Sequence, residues 1–373
     1  MPAFEPTANR SPFTGIIEGF FGRTWSWSDR HAMVDFLARE GFDFYLYAPK
    51  ADPHLRRQWT APWPASEWQA LLALREHCRD KGIDFGVGLS PLDLYREPPA
   101  QARQQLHARV RQLNALEPDL MGLLFDDMRG DLPALARRQV ELAHVAAEIS
   151  TARRLVLCPT YYSDDPVLEK VFGERPTHYW EDLGAALDHT IDVFWTGPQV
   201  CSPTYPAEHL ERVSERLQRR PFLWDNYPVN DGAKLCGHLR LSPYPASHGQ
   251  LPGQVAGHAV NPMNQALLSQ IPLATLPLAY RLGVRYREDA AWQEALERCC
   301  STPLAAALQA DVEQLQHRGL PDLSREEIAA LRKRYVALSE TLPDARETSS
   351  AMIQELIDWL DGGYTFDPAC LTD

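Results

Sequence analysis

Two adjacent aspartates, Asp126 and Asp127, close an apolar run made by Met121, Leu123, Leu124 and Phe125. An uninterrupted run of this kind reads as a strand buried on both faces, as in parallel sheets. Two acids at the end of such a strand cannot both ionise easily in a partly dry site, so one pKa rises and the other stays low. That division places a proton donor beside an anion, which is what glycoside hydrolysis uses. The pair also fits two other readings. It can open the following loop and cap a helix from about Leu132, or it can hold magnesium.

The elements that must position this pair follow from hydrophobic runs and their stop signals. Strands are expected at Thr14–Phe20, Phe42–Ala48, Ile83–Leu89, Asp119–Phe125, Arg154–Cys158, Ile191–Thr196, Pro221–Trp224 and Gln254–Val260. Helices are expected between most of them: one capped by Ser28 or Asp29, then Ser66–Lys81, Ala100–Leu116, Pro133–Ile149 and Ala207–Gln218. A long irregular section follows the fifth strand, a loop follows the seventh, and a helix over Asn264–Leu282 follows the eighth. Eight strands alternating with helices over about 270 residues are the count and size of a (β/α)8 TIM barrel. An open doubly wound sheet is the runner-up, but the first strand lacks a glycine-rich phosphate loop after it.

Barrel enzymes place their chemistry just past the C-terminal ends of the strands. At those points the sequence has Gly19, Lys50, Asp126 with Asp127, Tyr161 with Tyr162, Trp195 to Gly197, Asp225 with Asn226, and Asn261. Each alone could be a satisfied turn residue. Together they offer carboxylates, an ammonium, amides and aromatics on one rim, the lining of a neutral-sugar pocket rather than a phosphate clamp.

Composition narrows the partners. The 373 residues carry a net charge of -13, and no basic cluster offsets it, which argues against nucleic acid. No apolar run is long enough to span a bilayer, and the opening MPAFEPTANRSPFTG lacks the pattern of a signal peptide. Seven scattered cysteines show no zinc-type spacing, so reduced thiols and a cytoplasmic location are expected. Neither a cofactor nor a metal is expected.

Seven motifs stand in order on the successive strand ends: IIEGFFGRTW (Ile16 to Trp25), YLYAPKADP (Tyr45 to Pro53), LLFDD, CPTYY, FWTGP, WDNYPVND (Trp224 to Asp231) and Asn261-Pro262. In this the chain resembles the β-N-acetylglucosaminidase domain of glycoside hydrolase family 84, which includes the protein O-GlcNAcases. The likeness runs from about residue 13 to 282. It implies a substrate bearing terminal β-linked N-acetylglucosamine (GlcNAc), on a glycoprotein or a glycan. It also implies that Asp127 is the general acid/base and that Asp126 orients the 2-acetamido group. Tyr162 and Asn226 would hold that group and the ring it forms, with Trp224 in the pocket wall. Gly19 (through its backbone), Lys50, Asp231 and Asn261 would bind the sugar hydroxyls. Three residues depart from the family pattern: Thr24 in place of a proline, Phe21 in place of a tyrosine, and Tyr161 where glutamate is common.

The resemblance leaves a barrel domain over 13–283 and a helical region over 284–373. In that region Ile328, Leu331, Tyr335 and Leu338 keep helical spacing, as do Ile353, Leu356, Ile357 and Leu360, with a turn at Pro343 and Asp344. Such helices form a homodimer in some relatives; packing on the side of the barrel is the other expectation. Two rival functions remain to be weighed: a GlcNAc-binding barrel that has lost catalysis, and a barrel enzyme using Asp126 and Asp127 as magnesium ligands. The first would predict loss of one acid, and both are present; the second lacks an evident third acidic ligand.

Overall fold

The computed structural model describes residues 12–341 and 347–372. Eight strands run parallel: β1 Phe13–Glu18, β2 Phe44–Tyr47, β3 Asp84–Leu89, β4 Leu120–Leu124, β5 Arg154–Cys158, β6 Ile191–Trp195, β7 Phe222–Asp225 and β8 Gly257–Val260. They pair in chain order and close when β8 pairs with β1, setting Phe13 opposite Gly257 and Ile16 opposite Val260. The fold is a (β/α)8 barrel. Almost every strand residue is buried, as expected when helices cover one face of each strand and the barrel core the other.

The outer layer comprises α1 Trp27–Glu40, α2 Ala65–Lys81, α3 Pro99–Leu113, α4 Leu135–Ile149, α5 Val167–Phe172, α6 Tyr179–Ala186, α7 Ala207–Leu217 and α8 Ala266–Leu282. Two local readings of the sequence need correcting. The cap of α1 is Ser26, whose side chain accepts from Asp29 N while the Asp29 carboxylate accepts from Ser26 N, a capping box. The section after β5 is not irregular throughout, because it holds α5 and α6. These are too short for helical periodicity to stand out in the sequence.

A buried ion pair ties β1 to the helix that follows it. Arg30 Nη2 lies 2.7 Å from Glu18 Oε1 and Arg30 Nε 2.9 Å from Oε2, and the Tyr45 hydroxyl donates to the same carboxylate from β2. Glu18 is fully buried, so these donors compensate a charge that could not otherwise leave water.

After the barrel come α9 Glu288–Cys299, α10 Thr302–Val312, α11 Arg325–Thr341 and α12 Glu347–Leu360. They are not an independent body. Leu308, Leu331, Tyr335, Ile353, Leu356 and Ile357 belong to the same continuous core as the barrel strands. Helix α8 packs against α1 on one side and α9 and α12 on the other, which is why it is buried almost all round. Glu355 of α12 caps α8: its carboxylate accepts from Leu267 N at 3.0 Å and Leu268 N at 2.9 Å. Burial pushes the Glu355 carboxyl up to about 8, against the pull of those amides. The apolar stripe of α12 and the Leu331–Tyr335 part of that of α11 are thus covered within the chain. The turn expected at Pro343 and Asp344 lies outside the described residues.

Candidate active site

A cavity opens at the C-terminal ends of the strands. All nine site residues expected from the sequence line it: Gly19, Lys50, Asp126, Asp127, Tyr162, Trp224, Asn226, Asp231 and Asn261. They come from six stretches of chain that the closed barrel alone brings together.

The two aspartates reach this cavity through a backbone kink. Successive residues of a strand point to opposite faces. Asp127, however, has φ 56°, in the left-handed region, and this turns its side chain to the side that Asp126 already faces. Aspartate is among the few residues that tolerate such a φ. The reading of the pair as a helix cap fails here. Helix α4 starts at Leu135 behind Ala134, and no side chain caps it.

The environments of the two carboxyls differ. Asp126 is paired with Lys50, whose ammonium also lies 3.4 Å from Ser90 Oγ. The other carboxylate oxygen, Oδ1, is buried with no hydrogen-bond partner. Desolvation and the charge on Asp126 push the Asp127 carboxyl up to about 6, while Lys50, Arg56 and the Tyr162 hydroxyl pull the other way. The Tyr162 hydroxyl donates to Asp127 Oδ1 at 3.4 Å. The cation beside this pair is the Lys50 ammonium, placed where a magnesium ion bridging the two acids would compete with it.

The opposite wall is a chain of amides. Asn226 Oδ1 accepts from Trp224 Nε1 and from Asn261 Nδ2, both at 3.0 Å, and Asn226 Nδ2 donates to Val200 O at 2.9 Å. Asn261 Oδ1 in turn accepts from Gly19 N at 3.3 Å. Gly19 is required by packing, since a Cβ there would lie 2.6 Å from Trp224 Cζ2. Asp231 accepts from Phe21 N at 2.6 Å, which ties the β7 loop to the β1 loop.

Behind Asn226 lies a second polar group. Asp225 Oδ2 accepts from His248 Nε2 at 3.1 Å and His258 Nε2 at 3.0 Å, and Oδ1 accepts from Tyr227 N at 3.0 Å. Burial alone would raise the Asp225 carboxyl, but the two imidazoles hold it well below the usual range. Their ligand-type atoms lie within 4.8 Å of one another. Both rings meet the same carboxylate oxygen, His248 Nδ1 is buried without a hydrogen-bond partner, and the cluster does not line the cavity. It braces the turn that carries Asn226.

The departures also find their places. Tyr161 points away from the cavity: its hydroxyl donates to Gly173 O at 2.6 Å, and its carbonyl accepts from Trp180 Nε1 at 2.6 Å. Phe21 lines the cavity with its ring under the Arg56 guanidinium, 5.5 Å from carbon to centroid. Thr24 is exposed. Thr196, from the Trp195 to Gly197 strand end, also lines the cavity, but several lining residues were not legible in the sequence, among them Val200, Cys201, Leu235, Cys370 and Thr372. Arg56, which donates to Asp127 O at 3.4 Å, had one signal: two consecutive arginines shortly after Lys50.

Comparison with known proteins agrees with this geometry. The profile of the beta-N-acetylglucosaminidase family matches residues 14–313. The chain is 29% identical to the protein O-GlcNAcases of Rattus norvegicus and Mus musculus over 278 residues, which are 72% of this chain and 30% of each relative. It therefore spans about a third of the length of those relatives. Among solved structures, a mutant of the Thermobaculum terrenum O-GlcNAc hydrolase superposes with a TM-score of 0.75 at 27% identity, covering 96% of this chain and 82% of that one. No helix among the described residues is long and apolar enough to cross a membrane. A closed barrel with a paired-acid cavity on its rim, matched by this family over most of its length, belongs to the β-N-acetylglucosaminidase family of glycoside hydrolases.

Proposed function

We propose that the chain is a retaining exo-β-N-acetylglucosaminidase that removes terminal β-linked GlcNAc, with the substrate's own acetamido oxygen as nucleophile. The observation that carries this reading is the asymmetry of the acid pair. Asp126 is held by Lys50 with one oxygen open, while Asp127 has its carboxyl raised to about 6. A carboxyl raised in this way is suited to give a proton to a leaving oxygen near neutral pH.

Asp126 Oδ1 accepts a hydrogen bond from the acetamido N–H, which raises the nucleophilicity of the acetamido oxygen as it closes on the anomeric carbon. Ring closure yields an oxazoline and releases the alcohol, which takes its proton from Asp127. Water then opens the oxazoline, with Asp127 as base, and configuration is retained. Holding the acetamido oxygen at the reacting carbon is a positioning effect that can be worth roughly 7–11 kcal/mol. A protein nucleophile would need a carboxylate on the far side of the sugar, about 5–5.5 Å from the acid. Asp231, the other carboxylate in the lining, is engaged by Phe21 N.

Tyr162 and Asn226 steady the acetamido group, and Trp224 walls it. Lys50 has three N–H groups; Asp126 and Ser90 use two, which leaves one for a sugar hydroxyl. The carbonyl of Gly19 and the groups of Asp231 and Asn261 serve the other hydroxyls. Residues 13–283 carry the catalysis, and 284–373 brace α8. The covered stripe of α12 favours this bracing role over a dimer interface.

The test is substitution of the leaving group. In Asp127→Asn, a GlcNAc glycoside with a dinitrophenolate leaving group should keep most of its rate. One with a poor leaving group should lose about 10²–10⁴-fold. Asp126→Asn should slow both. Equal losses for both leaving groups in Asp127→Asn, or ready cleavage of a plain glucoside by the native enzyme, would overturn the mechanism.

A further inference from the structure

The segment after α12 returns to the barrel mouth, where Cys370 and Thr372 line the sugar cavity. Its start is held by Asp361, which pairs with Arg332 at 2.7 Å, and by the buried Tyr364, whose ring lies under the Arg23 guanidinium at 4.6 Å. A turn follows, in which Cys370 N donates to Asp367 O and Ala369 N to Asp367 Oδ1, both at 2.9 Å. Cys370 and Thr372 then line the cavity, and Thr372 Oγ1 lies 3.4 Å from Tyr162 Oη.

The burial pattern of this segment is inverted. Phe366 and Leu371 are 44% and 54% exposed, while Thr372 is 8% exposed. Hydrophobic burial would choose the opposite arrangement. Tyr364 anchors the start of the segment in the core, and past it the buried side chain is the polar Thr372 rather than Phe366 or Leu371.

The Tyr162 hydroxyl is also 3.4 Å from Asp127 Oδ1, so the two legs of 3.4 Å place Thr372 Oγ1 within 6.8 Å of that oxygen. An alcohol oxygen on that side of the cavity, next to the residue that delivers the proton, occupies the station of a leaving alcohol. We propose that residues 361–372 occlude the site as a built-in mimic of the product peptide, with the Thr372 hydroxyl standing where the alcohol of a glycosylated threonine or serine would leave. This rests on the glycosidase reading above. The segment competes with peptide-borne substrates for the part of the cavity beside Asp127 and Tyr162.

Covalent attachment gives such a segment an effective concentration on the order of millimolar, so a weak contact is enough for partial occupancy. Removing residues 362–373 should therefore lower KM for a GlcNAc-threonyl peptide about 3–10-fold with kcat unchanged. The inhibition constant of free GlcNAc should fall by less, since Thr372 meets Tyr162 rather than the hydroxyl-binding Lys50 or Asn261. Thr372→Val in the full chain should reproduce part of the KM effect without truncation. An amidated synthetic peptide of residues 361–372 should bind the truncated protein, read by tryptophan fluorescence, more tightly than its Thr372→Val version. An unchanged or higher glycopeptide KM in a folded truncated enzyme would overturn the proposal. An equal fall in the GlcNAc inhibition constant would overturn the aglycone placement. Because the peptide arm needs no turnover, a protein that binds the peptide but cleaves no GlcNAc substrate would refute the glycosidase reading instead.

Discussion

Replacing Asp126 by asparagine should move the titration of Asp127 downward. The Asp127 carboxyl stands at about 6 against an ordinary 3.8, with desolvation the first cause and the charge on Asp126 the second. Two unit charges roughly 6 Å apart at an effective dielectric of about 20–40 interact by about 1.4–2.8 kcal/mol, equivalent to about 1–2 pH units. The asparagine removes that repulsion. It also releases the Lys50 ammonium, which already lowers the Asp127 carboxyl, so both changes have the same sign. In the native enzyme, kcat/KM for a poor leaving group should fall as pH rises through about 6, because the acid must be protonated to act. In Asp126→Asn the falling limb should begin about 1–2 units lower. Residual activity will be small, so carboxyl carbon NMR on aspartate-labelled protein gives the same value without turnover. A limb or a titration that stays near 6, or rises, would refute the assignment of the shift to Asp126. The linkage has a second consequence. A carboxyl raised in the folded state contributes stability that is present below the ordinary 3.8 and lost as pH rises through about 6. Asp127 is half-buried, so screening trims the roughly 3 kcal/mol equivalent of two units to about 1 kcal/mol. Asp127→Asn should accordingly melt higher than the native protein at pH 7.5 and no higher at pH 4.

Two further perturbations test the scaffold. Gly19→Ala puts a Cβ 2.6 Å from Trp224 Cζ2, and Trp224 Nε1 helps to hold Asn226; steady-state kinetics should show about a 10–100-fold loss in kcat/KM with little change in melting temperature. A fully active Gly19→Ala enzyme would show that Trp224 yields without cost to Asn226. Arg30→Met strands the fully buried Glu18 and should cost about 3–5 kcal/mol in denaturant unfolding, much of it recovered by adding Glu18→Gln. A single mutant as stable as the native protein would mean that water reaches Glu18.

The barrel and most of the site's lining were legible in the amino-acid order, and for one physical reason. Each strand is a local hydrophobic run, and a barrel gathers whatever follows those runs at one rim. Gly19, Lys50, Asp126, Asp127, Tyr162, Asn226 and Asn261 could therefore be grouped before any distance was known. Strand ends shifted by one to three residues, as at β2 and β8, because the hydrogen-bonded register rather than hydrophobicity sets where pairing stops. What lay beyond the sequence was the pairing of groups far apart in it. Lys50 and Asp126 are 76 residues apart, and only closure of β2, β3 and β4 sets that ammonium against Asp126. The left-handed turn at Asp127 has no signature except tolerance. Strand-end position alone marked Tyr161 and Tyr162 alike, and only the family resemblance singled out Tyr162; the structure sends the first to Gly173 and the second into the cavity. Thr372 meets Tyr162 across 210 residues. Its segment carries no periodic pattern, because what holds it is the cavity and not a face of its own. Periodicity reports how an element meets the core. The partners of a lone polar side chain exist only once the whole barrel has closed around it.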